Sequence, residues 1–174
     1  MRSMTPRERT QFQHIVQPYL AQDCVQQMGS YIQHGSVTTL AHTLRVASTC
    51  YIWSQWLSHT FNLILNVNDL VAGALLHDLY LYDWHDRSTS KPHHATKHPL
   101  YAEKNAREKL HVNEHVCAII RTHMWPLPPT RVPASKEALL VCVADKWCSL
   151  EETFLMRKAR PKCSGAAQNA GAEL

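Results

Sequence analysis

The sequence predicts an all-α fold, a compact bundle of six or seven helices. Apolar residues recur at intervals of three and four along most of the chain, which is the spacing of one face of a helix. Valine, isoleucine and threonine do not alternate with polar residues over any useful length. The pairs Asn-Gly and Asp-Gly, which mark tight hairpins, do not occur. These observations favour helices and give no indication of a sheet.

Helix start and stop signals place three helices in the first part of the chain. Pro18 ends the first, because proline lacks the N–H that an interior helical position needs. Gly35 closes the second, since glycine readily adopts the conformation that follows a last helical turn. Ser36 or Thr38 is the N-cap of the third. The predicted spans are about 5–17, about 20–33, and from that cap to about His59.

Capping residues and one proline place four more helices. Asn68 or Asp69 caps the fourth, and Asn113 and Ser135 cap the sixth and seventh. Pro99 suits the first position of the fifth, where its missing N–H is not needed. The predicted ends of these helices are about residues 79, 109, 123 and 158.

We expect one domain over residues 1–158. The tail 159–174, rich in alanine, glycine and basic residues, is expected to be disordered. The irregular segment 80–97 is longer than most connections inside a domain, which favours a functional loop. Three tryptophans at helical spacing are expected in the core: Trp53, Trp56 and Trp147.

Composition argues against several classes of protein. The net charge of +4 comes largely from the two ends of the chain, and no aromatic residues interleave these charges, so a nucleic-acid partner is not expected. No apolar stretch approaches the roughly 18–20 residues that span a bilayer. The N-terminus lacks the apolar region of a signal peptide. The six cysteines form no C-x-x-C pair, and we expect reduced thiols in a cytoplasmic protein.

The strongest chemical signal is the pair His77-Asp78 at the end of an apolar run. A second apolar run, 138–144, ends in Asp145 in the same way. Such runs are buried, and a buried carboxylate must be paired, hydrogen-bonded or metal-bound. His42, inside an amphipathic helical pattern, completes a plausible metal cage.

Two further histidines extend this set, His98 at a helix start and His123 at a helix end. Each has a simpler interpretation. His98 could be a residue that merely flanks the start of a helix, and a protonated His123 at a helix C-terminus would favour the helix dipole. The ordered set as a whole favours metal ligation. Imidazole nitrogens with carboxylate oxygens suit manganese, iron(II), cobalt, nickel, zinc or magnesium, and the absence of a thiolate argues against a structural zinc site.

In its ordered ligands the chain resembles the HD-domain superfamily of metal-dependent phosphohydrolases, whose signature is H…HD…D on an all-helical fold. His42, His77-Asp78 and Asp145 match that signature in order, and the resemblance spans about residues 34–155. It implies an HD-domain-like bundle with a central metal site and residues 80–97 over its mouth. The local contexts are also similar: His-Thr-Leu-Arg-Val-Ala from residue 42, Ala-Leu-Leu-His-Asp from 74, Ile-Ile-Arg-Thr-His from 119 and Val-Ala-Asp-Lys from 143.

The resemblance leaves the number of ions open. In dinuclear members two more histidines lie between the HD pair and the last Asp, where His98 and His123 stand in this chain. Asp78 would then bridge one ion held with His42, His77 and Asp145 and a second held with His98 and His123. In a mononuclear site the two histidines would contact substrate phosphate instead.

One feature departs from the superfamily pattern. Many members follow the HD pair with Gly-Lys, whose lysine meets substrate phosphate, whereas Leu79-Tyr80 follows here. Lys146, next to the last ligand candidate, is our first choice to replace that lysine, and Arg45, one helical turn from His42, is the second. Lys97 and Arg121 are further alternatives. Together with Asp78, Lys146 and Arg45 form the candidate catalytic set.

The function implied is hydrolysis of a phosphoester or phosphoanhydride of a small molecule, with nucleotides among the candidates, by water that one or two divalent ions activate. Two other functions stay open. Some superfamily members with six such ligands hold a mixed-valent di-iron pair and cleave carbon bonds with oxygen. A non-catalytic ligand-binding module that keeps the metal site is the third possibility. The sequence does not indicate an oligomeric state.

Overall fold

The computed structural model describes residues 2–86 and 94–159, and helices dominate both parts. This confirms the predicted all-α class. Within these residues a 3₁₀ turn covers Gln27–Ser30, and a small antiparallel hairpin pairs β1 (Ile32–His34) with β2 (Val37–Thr38). The seven α-helices are α1 (Pro6–Leu20), α2 (Asp23–Gln26), α3 (Thr39–Phe61), α4 (Val67–Leu76), α5 (His94–Leu110), α6 (Glu114–Thr122) and α7 (Lys136–Ala159).

Side-chain caps begin most of the long helices, as the sequence indicated. Thr38 Oγ1 accepts a hydrogen bond from the Ala41 N–H at the start of α3, and Asn113 Oδ1 accepts one from Val116 at the start of α6. The predicted cap of α4 was wrong. Asn66 caps this helix and accepts from the N–H of Asp69, so α4 begins earlier than expected.

The predicted helix over 20–33 was wrong. After α2 and the 3₁₀ turn, the chain turns at Gly35, whose φ of 57° lies in the left-handed region that glycine adopts without strain. The same glycine signal that closes helices therefore marks a hairpin turn here. The hairpin leads directly into α3, since the Thr39 N–H donates to the Tyr31 carbonyl over 2.8 Å.

Two prolines lie inside helices that were expected to stop or start at them. Pro18 is in the last turns of α1, and Pro99 is inside α5, which begins at His94. Each costs the helix one backbone hydrogen bond. The predicted loop 80–97 is therefore shorter: residues 80–86 are irregular, 94–97 belong to α5, and 87–93 lie outside the described residues. The predicted disordered tail also lies outside them, apart from Ala159, which ends α7.

Helix α4 is the central element and packs against α3, α6 and α7. Every residue from Leu70 to Leu76 is buried. Gly73 permits the close approach of α6, because a Cβ at this position would lie 2.6 Å from Cγ2 of Ile119. The C-terminal end of α4 is thus held deep in the core, and the His77-Asp78 pair that follows it is delivered there.

Two of the three tryptophans expected in the core lie at the surface. Trp56 is 52% exposed and Trp147 is 48% exposed, while Trp53 is half-buried against the core. Helical periodicity placed these tryptophans on helices but did not distinguish a buried face from an apolar exposed one. Across residues 2–86 and 94–159, no helix is both long and apolar enough to cross a membrane.

Candidate metal centre

The structure brings all six sequence-predicted ligand candidates into one buried cluster. They come from helices α3, α5 and α7 and from the residues that directly follow α4 and α6. Each of the six is less than a tenth exposed. The cluster consists of His42, His77, Asp78, His98, His123 and Asp145.

His77 and His123 are held by the same local device. Each is the C-cap residue of its helix, and each places Nδ1 2.8 Å from the carbonyl oxygen three residues earlier, that of Ala74 or Ile120. A carbonyl oxygen only accepts, so Nδ1 must carry the proton. The Nε2 atom of both rings is thereby directed into the cluster, in the tautomer that a metal ligand requires.

His42 lies between two carboxylates of α7. Its Nε2 is 3.1 Å from Oδ1 of Asp145, and its Nδ1 is 3.0 Å from Oε2 of Glu152. Sequence reasoning missed Glu152, which is buried. The available signal was its position seven residues after Asp145, two helical turns along the same face. A carboxylate behind a ligating histidine fixes the ring and raises its basicity.

The two oxygens of Asp78 face different histidines. Oδ1 lies 3.2 Å from Nε2 of His98 and 3.7 Å from Nε2 of His123. Oδ2 lies 3.3 Å from Nε2 of His77 and accepts a 2.7 Å hydrogen bond from the side-chain amide of Gln33 in β1. The Gln33 amide is itself oriented by the Tyr80 hydroxyl, which donates to its Oε1 over 2.6 Å.

The cluster fits a cation. Nε2 of His77 and Oδ1 of Asp78 are buried, and neither makes a hydrogen bond to any described residue. Nε2 of His98 and Nε2 of His123 face each other at 3.0 Å. Three overlapping sets offer ligand atoms within 4.8 Å of one another: His42-His77-Asp78, His77-His123-Asp145 and Asp78-His98-His123. Nitrogen and oxygen donors of this kind suit divalent transition metals and magnesium.

The electrostatics of the cluster favour positive charge. Burial would raise the pKa of both carboxyls, but adjacent imidazoles outweigh it and hold the pKa of Asp78 and Asp145 well below the usual range. Burial would lower the pKa of His42, yet its hydrogen bonds to Asp145 and Glu152 raise it to about 9. Burial lowers the pKa of His123 to about 3, and the nearby His77 and His98 reinforce this. Protons on imidazole here balance the same negative charge that a divalent cation would balance.

The family follows from comparison with known protein families. Residues 39–149, more than half of the chain, match the family model of the HD domain. The chain belongs to the HD-domain family. The matched region begins at the start of α3 and contains all six candidate ligands. Comparisons with curated proteins and with solved structures gave no significant match.

A pocket of about 640 Å³ opens onto the HD-domain cluster. Asp78, His98, His123 and Asp145 form its floor. Its walls combine hydroxyl, amide and ammonium groups with apolar surface: Gln33, Trp84, Met124, Lys146, Ser149, Leu150 and Thr153. Trp84 comes from the segment 80–86, so the described part of the predicted mouth loop does border this pocket.

The two basic candidates lie in different surroundings. Lys146 lines the pocket of the HD domain, where its Nζ donates to the carbonyls of His123 and Cys142 over 3.1 and 3.3 Å. Arg45 is not among the pocket-lining residues; it donates to Glu151 over 2.6 Å and lies 3.8 Å from Oε1 of Glu152. Of the further alternatives, Lys97 is exposed and Arg121 pairs with Glu103.

Proposed function

We propose that this HD-domain protein is a metal-dependent phosphohydrolase that cleaves a phosphoester or phosphoanhydride of a small molecule, a nucleotide being one candidate. The observation that supports it best is the carboxylate of Asp78. Its two oxygens face separate histidine groups on the floor of a pocket whose wall carries a lysine. This arrangement suits an anionic substrate that meets cationic groups from two sides.

The donor set suggests how two ions would be held. His42, His77, Asp78 and Asp145 would hold the first, and Asp78, His98 and His123 the second. When bound, such divalent ions lower the pKa of water and polarise a phosphoryl oxygen. The candidates remain manganese, iron(II), cobalt, nickel, zinc and magnesium. The alternative is one ion on the first set, with His98 and His123 directed at substrate phosphate.

The remaining residues of the pocket would bind and orient the substrate. Lys146 supplies a positive charge that its two carbonyl contacts hold at the wall. The hydroxyl of Ser149 on α7 offers a hydrogen bond on the same side, whereas the Thr153 hydroxyl donates its hydrogen to the Ser149 carbonyl over 2.8 Å. Trp84 and Met124 give apolar surface for the organic part of the substrate and exclude water from it. We assign phosphate contact to Lys146 rather than to Arg45, which supports Glu151 and Glu152.

The hydrolase proposal is tested by turnover. The purified protein, loaded separately with each candidate metal, is assayed on a panel of phosphoesters and nucleotides for phosphate release. We expect activity with at least one metal, and we expect Asp78→Ala to abolish it. Asp23→Ala, an exposed carboxylate in α2, is the matched control and should retain full activity. No turnover across the whole panel of metals and substrates would overturn the proposal.

A mixed-valent di-iron oxygenase is the second candidate. Two observations support it. The cluster offers six ligand candidates, and Tyr80 stands two residues after Asp78, where many superfamily members have a lysine. Electron paramagnetic resonance of aerobically prepared, iron-loaded protein separates the two functions. A mixed-valent di-iron signal with oxygen consumption would favour the oxygenase, whereas phosphate release without that signal supports the hydrolase.

A further inference from the structure

The exposed face of α7 carries an apolar seam. Along this helix, five large apolar residues succeed one another at intervals of four, four, three and four residues, the spacing of a coiled-coil seam. Each is about half exposed. The seam consists of Leu139, Val143, Trp147, Leu150 and Phe154, and it spans roughly 22 Å of helix.

The seam adjoins an apolar groove of about 810 Å³ between α7 and the end of α3. Trp56 of α3 lines this groove and packs edge to face against Phe61, with ring centroids 5.4 Å apart. Both side chains are more than half exposed. Trp53 contacts Trp147 edge to face at 6.5 Å and joins the groove to the seam. Other exposed large apolar residues in the described chain, such as Leu127 and Val132, lie outside this surface.

We propose that the seam and groove form the interface of a homodimer, with a second copy of this chain as the occupant. Seven half-exposed side chains expose about 100 Å² each, or roughly 700 Å² in total, close to the ~800 Å² per partner of a stable interface. It also exceeds the largest apolar patch of most monomers, about 300–600 Å². The seven are Trp56, Phe61 and the five residues of the seam.

The order of residues along the seam fits a two-fold axis. When two copies of α7 pack antiparallel about an axis near Trp147, Leu139 of one faces Phe154 of the other, and Val143 faces Leu150. Each pairing joins residues of complementary size, and Trp147 meets its own symmetry mate at the centre. A self-complementary patch of this kind is what an isologous dimer interface requires.

The segments 87–93 and 160–174, which lie outside the described residues, are poor in large apolar side chains. Residues 160–174 contain a single large apolar side chain, Leu174, and residues 87–93 contain none. Neither segment has the composition to bury seven large apolar groups. Since Leu150 belongs both to the seam and to the pocket wall, the second copy would border the entrance to the metal centre.

Sedimentation velocity over a wide range of protein concentration tests the proposal. We expect a species of twice the 19.9 kDa chain mass. Val143→Glu should weaken the dimer at least about tenfold, because each interface would bury two carboxylates. Val132→Glu is the matched control, because Val132 lies outside the seam and is 60% exposed, similar to the 50% of Val143. This variant should leave the dimer intact.

A disulfide cross-link tests the geometry without destabilising charges. In a Cys163→Ser background, Trp147→Cys should give a covalent dimer on mild oxidation, whereas Val132→Cys should not. A monomer at every concentration would overturn the proposal, as would a dimer that survives Val143→Glu and is not cross-linked at position 147. A monomeric chain that co-sediments with phosphatidylcholine–phosphatidylserine vesicles would also overturn it, in favour of a membrane surface.

Discussion

Oε2 of the buried Glu152 lies 3.0 Å from Nδ1 of His42, on the side of the ring opposite Asp145. Helix α7 therefore holds this histidine from both sides, with two residues spaced two turns apart. The contact orients Nε2 of His42 toward the metal centre. Because Glu152 lies beyond residues 39–149, the HD-domain match itself does not include it.

Glu152→Gln should weaken metal binding about tenfold or more, because the amide keeps the size of the side chain but loses the charge that makes His42 a stronger donor. Isothermal titration with manganese or zinc measures the change. Glu151→Gln is the matched control, because the carboxylate of Glu151 pairs with Arg45 and not with His42. This variant should leave the metal affinity unchanged. Equal metal affinity in both variants would contradict this role of Glu152.

Lys146→Met should lower kcat/KM for a phosphorylated substrate about 100-fold, because it removes the positive charge from the pocket wall while keeping the length of the side chain. Bound metal, measured by elemental analysis, should not change. Lys104→Met removes an exposed lysine of α5 and should have no effect on either quantity. An unchanged kcat/KM in Lys146→Met would show that another group meets the phosphate.

Gly73→Ala should destabilise the fold by about 1–3 kcal/mol, because the new methyl group would lie 2.6 Å from Cγ2 of Ile119 where α4 meets α6. Chemical denaturation monitored by circular dichroism gives the free energy of unfolding. At Gly29 the nearest atom to an added Cβ is Cδ2 of Leu40 at 3.8 Å, an ordinary contact. Gly29→Ala should therefore change stability much less, and a similar loss in both variants would contradict the account of α4 packing.

The order of chemistry-bearing residues along helical segments was readable from the sequence. His77-Asp78 and Asp145 end apolar runs, so their burial followed from burial of the runs, and the structure brings them together with His42. Contacts made between distant elements were not readable. Gln33 donates to Asp78 from a hairpin that the local pattern of residues had predicted to be a helix. No spacing in the sequence relates Gln33 to Asp78.

The surface of the bundle was the less predictable part. Large apolar residues at helical spacing usually lie on the buried face of a helix, so Trp53, Trp56 and Trp147 were expected in the core. Trp147 instead faces outward while Cys148, next to it, is buried. Periodicity gives the direction of each side chain around its helix but not which neighbouring helix, if any, covers it. The contact of Arg45 with Glu151 was not predictable either, because the two residues lie 106 positions apart in the chain.

For the metal centre we propose two ions that would share Asp78 as a ligand. This proposal is tested most directly by elemental analysis of metal-saturated protein after removal of unbound metal. We predict two equivalents in the unaltered chain and one equivalent in the double variant His98→Ala with His123→Ala, since the first set of ligands stays intact. Unchanged stoichiometry in the double variant, together with weaker phosphate binding, would contradict the two-metal account and support a single ion.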